Sequence, residues 1–120
     1  TGLNPHCESF DSENKEKKEI IPAIKYLKRK KVSIKGPYAS DTIFLKENSK
    51  KFDVIFGMYH DQVLGPIKTL YGFNAINITI GLPFIRISPD HGPNVQMLGK
   101  NKSNANSLID SISFFEKHGI

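Results

Sequence analysis

The chain has 120 residues, of which 38% are hydrophobic and 24% charged, and this composition is typical of a folded rather than a disordered protein. No apolar stretch approaches the roughly 18 residues that a membrane-spanning helix needs, so the composition argues against a transmembrane protein. Cys7 is the single cysteine, which excludes an intramolecular disulfide and a zinc site built from several cysteines. Residues 1–6 do not resemble a signal or transit peptide. We therefore expect a cytoplasmic protein with no membrane partner.

The net charge of +5 comes from 17 Lys and Arg residues against 12 Asp and Glu residues, and it is unevenly distributed. Twelve of the basic residues lie within residues 15–51. The basic cluster at residues 28–31 could contact phosphates, but no aromatic residues interleave with it as single-stranded nucleic acid would require. We interpret this cluster as a solvated helix end, and we expect no nucleic-acid partner.

The first half of the chain begins with a predicted amphipathic helix over residues 12–31, where apolar residues recur at helical spacing. Pro22 lies inside this segment and should kink the helix or mark a later start. Residues 32–34 form a short strand candidate, and residues 38–42 form a loop that could cap a following short helix. The apolar residues 52–58 predict a strand buried on both faces.

The second half predicts a helix over residues 61–70, interrupted by Gly65-Pro66, and then strands over residues 75–80 and 82–87. A loop-rich stretch leads to a last helix over residues 107–117, with Gly119 beyond its end. The apolar residues on one side of that helix are Leu108, Ile109, Ile112 and Phe115. Because helices and strands alternate, we expect an α/β fold with at least partly parallel strands.

Two histidines occupy positions that suit ligand binding. His6 follows Asn4-Pro5, and His60 follows the predicted strand at residues 52–58, with Asp61 next to it. In open α/β sheets, ligands bind beyond the carboxyl ends of the strands. A neutral imidazole is a common metal ligand, and a neighbouring carboxylate can orient it. A purely structural role for either histidine stays open on this reasoning.

Lys68, Asn77 and Arg86 are spread across the strand-rich region. Two cations and an amide that converge on one cleft would suit an anionic substrate with phosphate or carboxylate groups. The alternative is a surface lysine, a turn asparagine and an arginine paired with a nearby acid. Gly92, next to His91, would permit close approach of a ligand to the backbone.

Four strings of residues together resemble one enzyme family. They are Asn4-Pro5-His6, the Met-Tyr-His-Asp-Gln of residues 58–62, the Asn-Ile-Thr-Ile-Gly-Leu-Pro-Phe-Ile-Arg of residues 77–86, and Asp90-His91-Gly92. This set resembles the 4-hydroxythreonine-4-phosphate dehydrogenases of vitamin B6 biosynthesis. Members of that family are much longer, so the resemblance implies that residues 1–120 are a single α/β unit, the carboxyl-terminal part of a larger two-domain dehydrogenase. The implied fold is the three-layer α/β/α type of the isocitrate and isopropylmalate dehydrogenases.

The resemblance also implies roles for individual residues. It implies that His6 and His60 bind a divalent metal, which could be zinc, magnesium, manganese or cobalt, and that a third histidine lies upstream of Thr1. The implied substrate-binding residues are Lys68, Asn77 and Arg86, and the implied NAD or NADP contacts are His91 and Gly92. The family's active site is shared across a homodimer, so His60 is expected to serve the partner's site.

The implied reaction is NAD(P)-linked oxidation and decarboxylation of 4-phosphohydroxy-L-threonine to 3-amino-2-oxopropyl phosphate. A related dehydrogenase that acts on phospho-threonate or phospho-erythronate is an alternative. A non-catalytic binding or dimerisation fragment is another, although it would not need the whole set of histidines and anion-binding residues. The isolated 120-residue chain is expected to be inactive.

Overall fold

The computed structural model describes residues 1–7 and 15–118. The chain divides into two compact units, which we call unit 1 (Thr1–Pro66) and unit 2 (Ile67–Ile120). The α-helices are α1 (Ile21–Arg29), α2 (Lys46–Ser49), α3 (His60–Tyr71) and α4 (Asn106–His118). The strands are β1 (Ile76–Thr79) and β2 (Arg86–Pro89). No helix among the described residues is both long and apolar enough to cross a membrane.

The helix predicted over residues 12–31 is present, but its regular α-helical part starts only at Ile21. A π-helical turn at Glu16–Ile20 leads into α1, and Pro22 lies in the first turn of α1. The helical segment is continuous here, since the N–H of Ile21 donates to the Glu16 carbonyl. The prediction that Pro22 marks a later start therefore holds only for the regular α-helix, and the predicted first residues 12–14 lie outside the described part of the chain.

The end of α1 explains the basic cluster. The N–H of Val32 donates to the Leu27 carbonyl at 3.1 Å, and the N–H of Lys31 donates to the Lys28 carbonyl at 3.0 Å. Lys31 takes the left-handed conformation, with φ of 64°. This hydrogen-bond pattern is the Schellman motif that ends many helices. Residues 28–31 are exposed at that end, as predicted for a solvated helix end.

Two predicted strands are wrong. Residues 32–34 and 52–58 pair with no other strand among the described residues. Val54 and Phe56 are 79% and 71% exposed, whereas the sequence predicts burial on both faces. An apolar run forms a strand only where a neighbouring backbone supplies the ladder hydrogen bonds, and no described segment supplies them here.

Helix α3 continues through Gly65 and Pro66, so the predicted interruption is wrong. Proline's fixed φ is compatible with a helix, although the lost donor and the clash of the ring with the preceding turn are unfavourable. The apolar positions 52–58 end just before this helix, with Gly57 packed so closely that a Cβ there would lie 2.5 Å from Cγ1 of Val63.

Strands β1 and β2 form an antiparallel pair, in which Ile76 lies opposite Pro89 and Thr79 lies opposite Arg86. The first strand agrees with the prediction, but β2 begins at Arg86 rather than at residue 82. The expectation of parallel strands is not met by this pair. Only residues 80–85 join the two strands, and a parallel pair needs a crossover of a dozen or more residues.

Helix α4 packs against both strands of unit 2. The buried positions of α4 are Ser107 and Ser111, and its large apolar side chains are about half exposed. The hydroxyl of Ser107 donates to the Ala75 carbonyl and accepts the N–H of Asp90, at 2.8 Å. The start of α4 is thereby fixed to the residues just before β1 and just after β2. Gly119 lies outside the described part of the chain.

Candidate functional site

Residues 1–7 of unit 1, which carry the Asn-Pro-His string, are held by hydrogen bonds from three directions. The N–H of Gly2 donates to the Tyr38 carbonyl at 3.0 Å, and the N–H of Asp41 donates to the Pro5 carbonyl at 3.5 Å. The Thr1 nitrogen donates to the Phe56 carbonyl at 2.6 Å. We refer to residues 1–7 as the NPH segment.

The third direction is a buried carboxylate. Glu16 is only 7% exposed, and its Oε1 accepts the N–H of Leu3 at 2.9 Å and that of Asn4 at 2.7 Å. The donation from Asn4 is the main reason that the pKa of Glu16 is lowered; burial opposes this effect, and the Leu3 N–H adds to it. An ionised carboxylate therefore fixes the backbone that leads into His6.

His6 is held by one neighbour at its backbone and by another at its ring. Its backbone N–H donates to Oδ1 of Asn4 at 2.9 Å, which explains why asparagine suits the first position of the string. Its Nδ1 lies 2.9 Å from Oδ2 of Asp41. A carboxylate can only accept, so Nδ1 donates in this pair, and in the neutral imidazole Nε2 then presents a lone pair. Metal-binding histidines are commonly held in this way.

His60 shows the same arrangement at the start of α3. Its Nδ1 lies 3.0 Å from Oδ1 of Asp61, and both side chains are largely exposed. The carboxylate next to His60, which the sequence indicated could orient its ring, thus contacts it. Nε2 is again the nitrogen that could bind a metal.

Gln62 joins the loop before His60 to the NPH segment. Its Oε1 accepts the N–H of Met58 at 2.8 Å and the hydroxyl of Thr1 at 2.7 Å, and its Nε2 donates to the Gly2 carbonyl at 2.8 Å. The two segments that carry the histidines are therefore hydrogen-bonded to each other within unit 1. Gln62 belongs to one of the family strings, but the sequence did not indicate its role. Nor did the sequence indicate that Asp41 and Glu16 hold the NPH segment.

Each of the two imidazoles in unit 1 has Nδ1 engaged and Nε2 available, and each is therefore suited to act as a ligand of a divalent metal. Within residues 1–7 and 15–118, however, no three His, Cys, Asp or Glu side chains come close enough to form a metal site. Two histidines do not complete a site, so any metal bound here needs further donors.

In unit 2, the antiparallel register brings two of the three predicted anion-binding residues together. Asn77 lies opposite Ser88, and Thr79 lies opposite Arg86. Opposed residues point to the same face, as do residues two apart on one strand. Asn77 and Arg86 are therefore diagonal neighbours on one face of the sheet, and both are exposed. Nη1 of Arg86 donates to Oγ1 of Thr79 at 2.8 Å, which orients the guanidinium group along this face.

Lys68, the third predicted anion-binding residue, instead makes an ion pair. Its Nζ lies 3.0 Å from Oδ2 of Asp90, the residue that follows β2. The side chain of Asp90 is only 12% exposed and that of Lys68 is 39% exposed. This pair lies at the opposite end of the sheet from Arg86. The acid that the alternative interpretation assigned to the arginine is thus found beside the lysine.

The predicted cofactor contacts lie in the loop that follows β2. His91 is exposed, and its Nδ1 lies 3.1 Å from the Gly92 carbonyl. A Cβ built at Gly92 would meet nothing within 4 Å, so the fold of the described residues does not require glycine there. An open depression begins directly after Gly92. Its lining residues are Pro93, Asn94, Val95, Met97, Leu98, Gly99, Asn101 and Ser103.

Comparison with known proteins gives a consistent family. The family model described as "Pyridoxal phosphate biosynthetic protein PdxA" matches residues 1–115. A 4-hydroxythreonine-4-phosphate dehydrogenase of Xanthobacter autotrophicus is 43% identical over 112 residues, covering 92% of this chain and 32% of that protein. A D-threonate 4-phosphate dehydrogenase of Cupriavidus necator is 37% identical over 113 residues, covering 92% of this chain and 34% of that protein.

A solved structure agrees with these relatives. The crystal structure of a 4-hydroxythreonine-4-phosphate dehydrogenase from Burkholderia phymatum is similar with a TM-score of 0.69 and 34% identity. The similarity covers 92% of this chain and 34% of that one. The chain thus spans about a third of the length of the relatives it matches.

Proposed function

The chain belongs to the PdxA family of pyridoxal phosphate biosynthetic proteins, and on that premise we propose that it is part of a metal-dependent, NAD(P)-linked dehydrogenase of vitamin B6 biosynthesis. The proposed reaction oxidises the secondary alcohol of 4-phosphohydroxy-L-threonine and releases its carboxylate as carbon dioxide. Hydride passes from the alcohol carbon to NAD(P), and the hydroxyl proton leaves. The carbon–carbon bond to the carboxylate then breaks with release of carbon dioxide, and the carbon that carried it takes up a proton to give 3-amino-2-oxopropyl phosphate. The observation that carries the proposal is that both motif histidines hold their Nδ1 against a carboxylate.

We propose that His6 and His60 supply two metal ligands through Nε2, and that further donors come from outside this chain. Asp41 and Asp61 would fix the tautomers and ring orientations. A divalent metal, when bound, supplies Lewis acidity that stabilises negative charge on the substrate oxygen. Imidazole ligands suit zinc, but magnesium, manganese and cobalt are also compatible with the proposal. We infer that the full-length enzyme is a cytoplasmic homodimer whose active site is shared between the two subunits.

The substrate's anionic groups would be held in unit 2. Arg86 presents a planar guanidinium group suited to two-pronged binding of phosphate or carboxylate, and Asn77 offers an amide on the same face. Lys68 would contribute a second cation, whose charge is partly neutralised by Asp90. An incoming phosphate would compete with Asp90 for Lys68.

The cofactor would lie against the loop that contains His91 and Gly92. Val95 and Leu98 are exposed along the depression that follows Gly92 and offer apolar surface for a planar ring. We propose that Gly92 serves close approach of NAD or NADP rather than the local fold, because a Cβ at Gly92 has space. We also propose that the chain is part of a larger two-domain enzyme with the three-layer fold of the isocitrate and isopropylmalate dehydrogenases.

The proposal is tested with two substitutions in the full-length protein, each with a matched control. His60→Ala should lower bound divalent metal by elemental analysis, whereas His118→Ala, an exposed histidine near the end of α4, should not. Arg86→Lys should raise KM for the phosphorylated substrate about tenfold with little change in KM for NAD, since charge is kept and the fork is lost. Arg29→Lys, at the end of α1, is its control. Unchanged metal content in His60→Ala would contradict the metal assignment.

A second candidate is a sister activity on D-threonate 4-phosphate, which the relative from Cupriavidus necator supports at 37% identity. The two substrates differ at one carbon, which carries an amino group in 4-phosphohydroxy-L-threonine and a hydroxyl group in D-threonate 4-phosphate. The ratio of kcat/KM values for the two substrates decides between the candidates. Absence of turnover with either one, in a protein that binds metal, would favour a non-catalytic role.

A further inference from the structure

We propose that Gln62 is a positioning residue that holds the NPH segment, with His6, against the loop that leads into His60. The link to metal binding rests on the proposed function, but the positioning role itself rests on contacts within unit 1. Gln62 lies two residues beyond His60 in α3 and reaches back to backbone groups 60 residues away along the chain.

The amide of Gln62 uses both of its polar ends, and its partners fix its orientation. Oε1 accepts the N–H groups of Met58 at 2.8 Å and Tyr59 at 3.2 Å. Nε2 donates to the Gly2 carbonyl at 2.8 Å. An N–H cannot accept and a carbonyl cannot donate, so the opposite orientation of the amide would break all three contacts. A side chain that only donates or only accepts cannot make this set.

The contacts of Gln62 are reinforced by the neighbouring backbone. The Thr1 hydroxyl donates to the same Oε1 at 2.7 Å, and the Thr1 nitrogen donates to the Phe56 carbonyl at 2.6 Å. On its other side, Gly2 lies so close to Cys7 that a Cβ at Gly2 would overlap the Cys7 sulfur. Gln62 holds Gly2 in place, and the close packing of Gly2 against Cys7 therefore also constrains the residue that follows His6.

Gln62→Glu separates the two functions of this side chain. The carboxylate keeps its acceptor for Met58 and Tyr59, but it places an acceptor opposite the Gly2 carbonyl, where a donor is required. Asn48→Asp is the matched control, because Nδ2 of Asn48 also donates to a carbonyl, that of Thr42, at 3.0 Å in unit 1. Gln62→Asn, which keeps the amide but shortens its reach, is a milder second variant.

Two measurements on the full-length protein are needed. The first is the rate at which Cys7 is alkylated by iodoacetamide, followed by peptide mass; it needs no metal. Cys7 is half-buried and its sulfur lies against Gly2, so release of the NPH segment should expose the thiol and accelerate the reaction. The second is titration with Co²⁺ alone, followed by visible absorption, with His60→Ala as the reference for a lost ligand.

We expect Cys7 to be alkylated severalfold faster in Gln62→Glu than in the wild type. We also expect this variant to bind Co²⁺ about 10- to 100-fold more weakly, the usual effect of losing a group that orients metal ligands. Its melting temperature should fall no further than that of Asn48→Asp, and Gln62→Asn should show the same pattern at smaller amplitude. Unchanged alkylation of Cys7 in both Gln62 variants would overturn the proposal. So would Co²⁺ affinity that falls in His60→Ala but not in Gln62→Glu. If His60→Ala has no effect on Co²⁺ while Cys7 is released, the proposed function fails and the positioning role is supported.

Discussion

Glu16 is the most buried charged side chain among the described residues, and its removal should be costly. Glu16→Ala deletes the acceptor of the Leu3 and Asn4 N–H groups, at 2.9 and 2.7 Å. Hydrogen bonds to a charged group are worth about 1.5–3 kcal/mol each. Because Asn4 is exposed and its freed N–H can reach water, we take about 1–1.5 kcal/mol for each bond. The free energy of unfolding should therefore fall by about 2–3 kcal/mol.

Urea denaturation compares this variant with Glu19→Ala, which removes the same charge from an exposed position in the same π-helical turn. The control should change the free energy of unfolding by no more than about 0.5 kcal/mol. Amide hydrogen exchange at Leu3 and Asn4 should accelerate in Glu16→Ala alone. Equal losses of stability in the two variants, with equal exchange, would refute the assignment of the contribution to these hydrogen bonds.

The stabilisation by Glu16 should also depend on pH. Since donation by Asn4 lowers its pKa in the folded protein, its contribution is fully present above the ordinary pKa of a glutamate. It is lost as the pH falls through the lower, folded value. The difference in unfolding free energy between the wild type and Glu16→Ala should hence shrink in acid, and a difference that grew in acid would contradict the sign.

Three further predictions concern backbone and packing. Lys31→Gly should stabilise the protein by about 1 kcal/mol in urea denaturation, because Lys31 has φ of 64° at the end of α1 and glycine takes that conformation without strain; a loss of stability would show that the exposed lysine makes a compensating contact. Gly57→Ala should lower the free energy of unfolding by about 1–3 kcal/mol in the same assay, since the alanine Cβ would lie 2.5 Å from Cγ1 of Val63. An unchanged denaturation midpoint would mean that the loop shifts without cost. Gly92→Val should leave the melting temperature unchanged, because a Cβ there meets nothing within 4 Å. The same variant should raise KM for NAD about tenfold. A destabilised variant with normal NAD binding would contradict the cofactor assignment.

Local patterns in the sequence located most helices and one strand. Helical spacing of apolar residues predicted α1 and α4, and a β-branched run predicted β1. The contact between His60 and Asp61 was also accessible, because the two residues are adjacent at the start of a helix. These features depend on neighbours within a few residues, which a sequence displays directly.

The same reasoning failed where an element needs a distant partner. The apolar residues 52–58 were predicted to form a buried strand, but no described backbone pairs with them and none of them is buried. The start of β2 was misplaced because its limits are set by pairing with β1, not by its own composition. Apolar character shows that a segment favours burial, but it does not say what covers it.

The sequence by itself determined the family strings and the histidines, while tertiary structure decided what orients them. Asp41 beside His6, Gln62 beside Gly2 and Asp90 beside Lys68 are pairs distant in sequence. Hydrogen bonds and ion pairs act over about 3 Å, so such partners are defined only once the chain path brings them together. The residues that could do the chemistry are therefore visible in the sequence. Apart from Asp61, which is adjacent to His60, the groups that fix their tautomers and positions are visible only in the fold.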